Sequence, residues 1–394
     1  MLNVIAEKPL VGSKETFEWL TDIIESRDGR EHRIMLRSLP RVTLDYSFIA
    51  HPHNRSRYIN LLHNNSTDIW FIPDWFRAVY IGPINKNTFL FENYFNNHEG
   101  DNLLIYQDSS KNEVATWLKS SKIESLEFVF DNQKHQEMEF IFKDPTDEKK
   151  QGLYLVNDYL TAYLLPLQEC CLKNVTYKTP NFDTQFDVTI ELIESPIYRA
   201  KSIETETETY LGIEVLHNNY SVNESSFNKN IDIVDYELGK ITRMERWDRT
   251  KSSGIIKFYL DGLDEITKFK EFIYRIGGRL TPFWLCDDVN VCDDNIRGNQ
   301  ITIKSIYYSD LPSFKYLALF HDNSVVYVKI MDVKQDEYDN TVLIIDKTIK
   351  KPVKKISHLM LCRFDSDSVQ IKYNTNQQAE SNIQVVEVFD DQYF

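Results

Sequence analysis

The stretch DGLDEITKFKEFIYRIGGRLTPFWLCDD, residues 261–288, decides the fold. Leu263, Ile266, Phe269, Ile273 and Ile276 recur at three- and four-residue spacings, which places them on one stripe of an amphipathic helix. Asp261 or Asp264 is positioned to cap its start, and Gly277-Gly278 to end it. PFWLCDD (282–288) then reads as an aromatic strand running into acidic residues. Just upstream, Ile256, Phe258 and Leu260 alternate with the period of two that marks a half-buried strand. The plan is strand, helix, aromatic strand.

The first half carries the same plan. Val42, Leu44, Tyr46 and Phe48 alternate as a strand. HPHNRSRYINLLHNN follows, with Tyr58, Ile59, Leu61 and Leu62 on a helical stripe. IWFIPDW (69–75) is the aromatic strand, closed by a Pro-Asp turn. Phe48 lies 22 positions before Trp70, and Leu260 lies 23 before Phe283. The halves also close alike: VTYKT (175–179) precedes FDVTIELIE (186–194), and IKYNT (371–375) precedes IQVVEV (383–388). Each is a strand, a polar loop and a second strand.

These matches predict an internal duplication. One β-rich module spans residues 1–200 and a divergent copy spans 205–394, joined through the acidic run KSIETETETY (201–210). VYIGPI, NTFLFENYF and NLLIYQ in the first half, and ITIKSIYY, YLALFH and SVVYVKIMDV in the second, are strand-like. Residues 120–150 alternate at their centre and end in the charged DPTDEKK, expected at a hairpin tip or loop. The expected fold class is mainly β with a few helices (α+β). It comprises two tandem β-sandwich or barrel modules, each with one amphipathic helix.

Composition fits this. Of the 394 residues, 42% are hydrophobic and 13% aromatic, with only 12 Gly and 12 Pro. Abundant Tyr, Phe, Val, Ile and Thr favour strands, and scarce Gly disfavours an α/β enzyme built on glycine-rich phosphate loops. A formal charge of -15 disfavours a specific nucleic-acid binder, although a local basic patch can hide inside an acidic total. No run reaches the roughly 20 apolar residues of a membrane span, and no basic start with an apolar core marks a secretory leader. Five cysteines without framework spacing suit a reducing compartment, so synthesis in a cytoplasm is expected.

No chemical motif emerges. Walker A, dinucleotide, HExxH and GxSxG patterns are missing, and Gly277-Gly278-Arg279 follows a helix where a phosphate loop would open one. Cys286, Asp287, Asp288, Asn290, Cys292, Asp293 and Asp294 fit neither calcium nor zinc spacing, so an exposed acidic loop is expected. His32, His51, His53 and His63 offer no third ligand at a usable spacing, and Cys170-Cys171 reads as packing. Asp74, or Asp287 with Asp288, could pair as glycosidase carboxylates, and their aromatic neighbours could line a sugar face. A shared structural role explains both copies more simply: Trp70, Pro73, Trp75, Pro282, Phe283 and Trp284 are expected as core anchors. No catalytic, cofactor or metal site is expected, and no enzyme activity.

Three segments resemble tail-tip proteins of tailed bacteriophages, of the distal-tail and baseplate-hub kind. FEWLTDIIESRDGREHRIMLRSLPRVTLDYSF (17–48) follows a W-x-T-D, D-G-x-E, R-x-x-P-R pattern. LDEITKFKEFIYRIGGRLTPFWL (263–285) and HLMLCRFDSDSVQIKYNTNQQAESNIQVVEV (358–388) carry the rest, with Cys286 where a proline would be expected. The resemblance implies tail-tube-like modules that self-associate in a ring, as a trimer or a hexamer. It implies placement in the virion tail tip, contacting the tail tube protein, the tape measure protein, and baseplate hub and fibre proteins. The alternative is a carbohydrate- or receptor-binding module at the tail tip.

Overall fold

The computed structural model describes residues 3–5, 7–50, 52–64, 68–75, 79–81, 102–108, 114–119, 126–130, 137–144, 147–156, 161–179, 183–194, 207–216, 220–237, 239, 241–247, 250–291, 296–303, 315–322, 324–337, 340–375 and 377–389. The chain is mainly β, with the helices Pro52–Asn64 and Leu263–Ile276 among the described residues. None of the described helices is long and apolar enough to cross a membrane. The chain divides into two compact units: Met1–Lys14 with Thr43–Ser195, and Glu15–Val42 with Pro196–Phe394.

In the first unit, the short strand Asn3–Val4 runs parallel to Trp70–Pro73. That aromatic strand lies antiparallel to the long strand Thr161–Lys178, with Cys170 opposite Trp70. The long strand pairs on with Thr184–Leu192, which pairs with residues 43–50, the last part of Glu31–Ala50. The helix Pro52–Asn64 follows directly. Pro52 takes the first helical position, where its missing N–H costs nothing. Pro52 and His53 therefore begin the helix. Phe48 stacks on Phe186 at 5.2 Å, and Tyr58 of the helix packs on both rings. Asn102–Asp108 and Val114–Lys119 extend the sheet, and Leu126–Phe130, Glu137–Asp144 and Asp147–Val156 form a separate three-stranded sheet. Of DPTDEKK, Asp144 ends one of these strands and residues 147–150 begin the next, while NTFLFENYF lies outside the described residues.

The second unit follows the same order of pairings. Ile213–Leu216 runs parallel to Phe283–Val291. That strand lies antiparallel to Lys355–Phe364, with Cys362 opposite Phe283. Lys355–Phe364 and Ser368–Tyr373 pair with Gln378–Glu387, which pairs with Lys251–Asp261, the strand leading into the helix. Registers correspond closely. Phe48 faces Phe186 and Ala50 faces Thr184; Phe258 faces Ser381 and Leu260 faces Ala379. Carried along from Cys170 opposite Leu192 and Cys362 opposite Glu387, the register sets Phe186 at the place of Ser381 and so Phe48 at that of Phe258. Cys170 and Cys362, both fully buried, occupy matching places between an aromatic strand and a closing strand.

Register corrects the spacing read from sequence. Phe48 corresponds to Phe258, and the partner taken from spacing, Leu260, corresponds to Ala50. A two-residue slip keeps every side chain on the same face, so periodicity alone does not detect it. The aromatic strands therefore begin 22 and 25 residues after the matched phenylalanines, and the extra three residues fall around the helix.

The helix Leu263–Ile276 buries Ile266, Phe269, Phe272, Ile273 and Ile276. Its C-terminus is the expected glycine stop: Gly277 is left-handed (φ 64°, ψ 47°) and donates to the Ile273 carbonyl. Its N-terminus differs from expectation. Gly262 is the cap residue, and neither Asp261 nor Asp264 caps through its side chain. Glu265 reaches back to accept the Asp261 N–H at 2.9 Å, and Asp264 and Glu265 place negative charge at the positive end of the helix.

Residues 15–42 form a hairpin arm that belongs to the second unit. The long strand Glu31–Ala50 passes from one unit into the other, so local sequence gives no break where the chain changes unit.

Candidate assembly surfaces

Every sequence-predicted anchor with a described environment lies inside. Trp70, Phe283 and Trp284 are fully buried, Trp75 is 7% exposed, and Pro73 and Pro282 are buried. Trp284 Nε1 donates to the Tyr210 carbonyl at 2.9 Å within a cluster of Tyr210, Tyr316, Tyr327, Leu359 and Leu361. Asp74 is buried and accepts from Gln168 at 3.2 Å. The Cys286 side chain packs in the Trp284 core, where burial pushes its thiol up to about 12. Cys292, Asp293 and Asp294 lie outside the described residues, as does His51. Among the described residues no three metal-ligand side chains gather.

Sequence reading missed the lock that holds the arm. Three stretches far apart in the chain meet here. On the strand Lys14–Glu25, Glu15, Phe17, Trp19 and Thr21 face inward and are buried. Phe17 and Trp19 meet Tyr274 of the helix edge-on at 5.8 and 5.7 Å. The Glu15 carboxylate binds Lys270 Nζ at 2.6 Å and accepts from the Tyr373 hydroxyl at 2.6 Å.

At the centre sits Asp367. Its carboxylate accepts from the backbone N–H of Thr21 at 2.8 Å and of Arg279 at 2.9 Å, and from Arg279 Nη2 at 3.2 Å. Its carbonyl accepts from Trp19 N–H at 2.9 Å, and Arg279 Nη2 also donates to the Thr21 carbonyl at 2.6 Å. Burial alone would raise the Asp367 pKa. The backbone N–H groups of Arg279 and Thr21 outweigh it and hold the carboxyl below its usual value.

Gly278 makes room for this junction. A Cβ there would stand 2.5 Å from Asp367 Oδ1 and 3.0 Å from Trp19 Cβ, and its φ is +69°. Gly278→Ala is expected to destabilise the second unit by about 1–3 kcal/mol, measured by urea unfolding. A change within error would contradict the close packing described.

The far end of the arm holds a second charge cluster. Arg363 grips Glu31 bidentately, Nε to Oε2 at 2.7 Å and Nη2 to Oε1 at 2.9 Å. Lys251 Nζ lies 3.3 Å from Glu31 and 2.8 Å from Glu25, over the Trp247 ring at 4.6 Å. Arg33 Nε lies 4.0 Å from Glu31. Burial would raise the Glu31 pKa, but Arg363, Lys251 and Arg33 together hold it below the ordinary range. The arm turns at Ser26–Arg30, where Gly29 (φ +86°) fits against Phe389 and Trp247 with no space for a side chain.

Both carboxylates have depressed native pKa values, so the native state binds fewer protons than the unfolded chain near pH 4. The stability they give is present above their unfolded pKa values and is lost as pH falls through the native ones. Thermal melting of the second unit should therefore decline on acidification below about pH 4.5. Asp367→Asn should melt lower at pH 7 and decline less steeply, because it has no carboxyl to titrate there. Parallel pH profiles for the two chains would contradict the role given to Asp367.

The outward surface of the arm exposes apolar side chains among charged ones such as Glu18, Asp22 and Arg41. Twenty-one large hydrophobic side chains are exposed among the described residues. Six lie on the arm: Leu20, Ile24, Ile34, Met35, Leu36 and Leu39. Six more, Phe227, Ile231, Ile233, Tyr236, Ile241 and Met244, lie on or beside the ribbon Ile231–Asp235/Ile241–Glu245. Among the described residues the ribbon pairs with no other strand. Its register places Ile231, Ile233 and Ile241 on one face, opposite Glu245, Arg243 and Asp235 respectively. An isolated two-stranded ribbon is marginally stable in water, and clustered exposed apolar residues mark an interaction surface. The Asp232 carboxyl of the ribbon is held below its usual value chiefly by Arg246, with the smallest contribution from Arg27 of the arm turn.

A scan against protein-family models matches no family, and a search of curated proteins returns no match.

Proposed function

We propose that this chain is a structural protein of a bacteriophage tail tip. It self-associates into a ring that joins the tail tube to the baseplate hub and receptor-binding parts. One observation carries this reading: the three sequence segments that resemble tail-tip proteins converge on the arm lock. Trp19 and Thr21 meet Asp367, Gly29 closes the turn, Glu31 meets Arg363, and Gly278-Arg279 meets both Thr21 and Asp367. The residues of the resemblance thus have one shared physical task, holding a hairpin that exposes six large apolar side chains.

The repeated order of pairings supports reading the chain as two copies of one building block. Three chains would then supply six module positions, enough to match a sixfold tube to a threefold tip; six chains would match it with one module each. The function is mechanical and uses no chemistry from the chain. The carbohydrate-binding alternative draws no support from the tryptophans that suggested it, because Trp70, Trp75 and Trp284 are buried. Antibody labelling of purified virions tests the assignment. Label at the tail tip is the expected result, and virions that lack the chain would overturn it.

A further inference from the structure

A concentrated basic loop interrupts this acidic chain. Residues 347–355, KTIKKPVKK, carry five lysines in nine positions, whereas the formal charge of the whole chain is -15. Lys347, Lys350, Lys351, Lys354 and Lys355 are all exposed. Lys350, Lys351 and Lys354 lie on the loop between the strands Thr341–Ile349 and Lys355–Phe364, Lys347 and Lys355 lie on the strand ends beside it, and the loop is firmly anchored. Val353 is buried in a core with Ile301, Leu317, Leu343 and Ile356. The Pro352 carbonyl lies 2.7 Å from His321 Nδ1, and the Lys354 N–H donates to Phe320 O at 2.8 Å. Lys347 donates to the Tyr327 carbonyl, and Lys354 pairs with Asp322. Lys350, Lys351 and Lys355 form no ion pair within 4.0 Å among the described residues.

Asp322 offsets Lys354, but the remaining lysines stand close together on a fixed base and repel one another, and that repulsion is relieved by a partner with repeating negative charge. The chemistry of the loop narrows the partner. Lysines act as point charges toward phosphates, and the loop has no aromatic residue on which an unpaired base could stack. We propose that residues 347–355 form a sequence-independent contact surface for the phosphate backbone of duplex nucleic acid. This is compatible with the lack of a specific nucleic-acid site, and it does not depend on the assembly reading.

The test is fluorescence anisotropy of a short labelled DNA duplex with the full chain, titrated from about 25 to about 200 mM salt. Binding should weaken with salt at a log–log slope of about -3 to -4, reflecting the phosphates that the lysines neutralise. The triple variant Lys350→Glu, Lys351→Glu, Lys355→Glu should bind at least about tenfold more weakly and lose about 2 to 3 from that slope, with unchanged melting temperature. Arginine at the same three positions should retain binding. No binding at the lowest salt, or equal binding by the triple glutamate variant, would overturn the site. Equally strong competition by polyglutamate of matched charge would overturn the assignment to phosphate.

Discussion

Glu31→Ala is expected to destabilise the second unit by about 3–5 kcal/mol, enough to unfold a marginally stable domain. Glu31 is the buried anion shared by Arg363, Lys251 and Arg33. Removing it leaves three cations with side chains at most 8% exposed and their central counter-charge gone. Lys251 keeps Glu25 and Arg363 keeps Asp365, both 40% exposed, but desolvated charge that has lost its buried partner costs far more than the pair contributes when intact. Replacing Glu31 and Arg363 together with apolar residues of similar volume should therefore cost less than Glu31→Ala alone. Chemical denaturation of the three chains gives the comparison. If the double replacement were the least stable, the charge cluster would not be acting through its pairing. The same reasoning extends to the whole arm. A chain comprising only 196–394 loses Phe17 and Trp19 from its core, and the strand Ser368–Tyr373 loses its partner Lys14–Glu25. That fragment should fail to fold cooperatively, and adding the peptide 14–42 should restore a sharp transition.

Charged residues on the ribbon should abolish self-association and leave folding intact. Ile233 is 61% exposed and Ile241 53%, on the same face of a ribbon that packs on no other strand among the described residues. Ile233→Asp with Ile241→Asp removes apolar area available to a partner and would bury two carboxylates in any interface. Each unpaired carboxylate in such an interface costs several kcal/mol, and about 1.4 kcal/mol already changes an association constant tenfold. The expected outcome in sedimentation velocity is a shift from oligomer to monomer. The melting temperature of the monomer should match that of the parent chain at a dilution where it too is dissociated. Leu36→Asp on the arm should act in the same direction, because Leu36 is 59% exposed. An oligomer that persists in all three substitutions would place the interface elsewhere.

Much of the fold was legible because it is written in short periods. The stripe from Leu263 to Ile276 and the glycines after it specify a helix and its end. The alternation from Val42 to Phe48 specifies a strand with one inward face. The aromatic strands at Trp70 and Phe283 were recognisable as core because large rings recur there with turn residues beside them. Other features were not legible for equally physical reasons. The match between the two strand–helix–strand stretches slipped by two positions because period-two patterning is unchanged by such a slip. Membership of the arm was hidden because the strand Glu31–Ala50 is continuous where the chain changes unit. Its partners, Asp367, Arg363 and Lys270, lie more than two hundred residues away and carry no local mark of that pairing. Gly278 gave half of the signal. Gly277 alone suffices to end the helix, and a second glycine is explained only when Asp367 and Trp19 are placed against it.

The most direct test of ring formation is the mass of the full chain under native conditions. Electrospray mass spectrometry at increasing protein concentration, with two-dimensional class averages for symmetry, should give a closed assembly of three or six copies. A chain that remains monomeric at the highest concentration, or one that grows into open filaments, would contradict the ring.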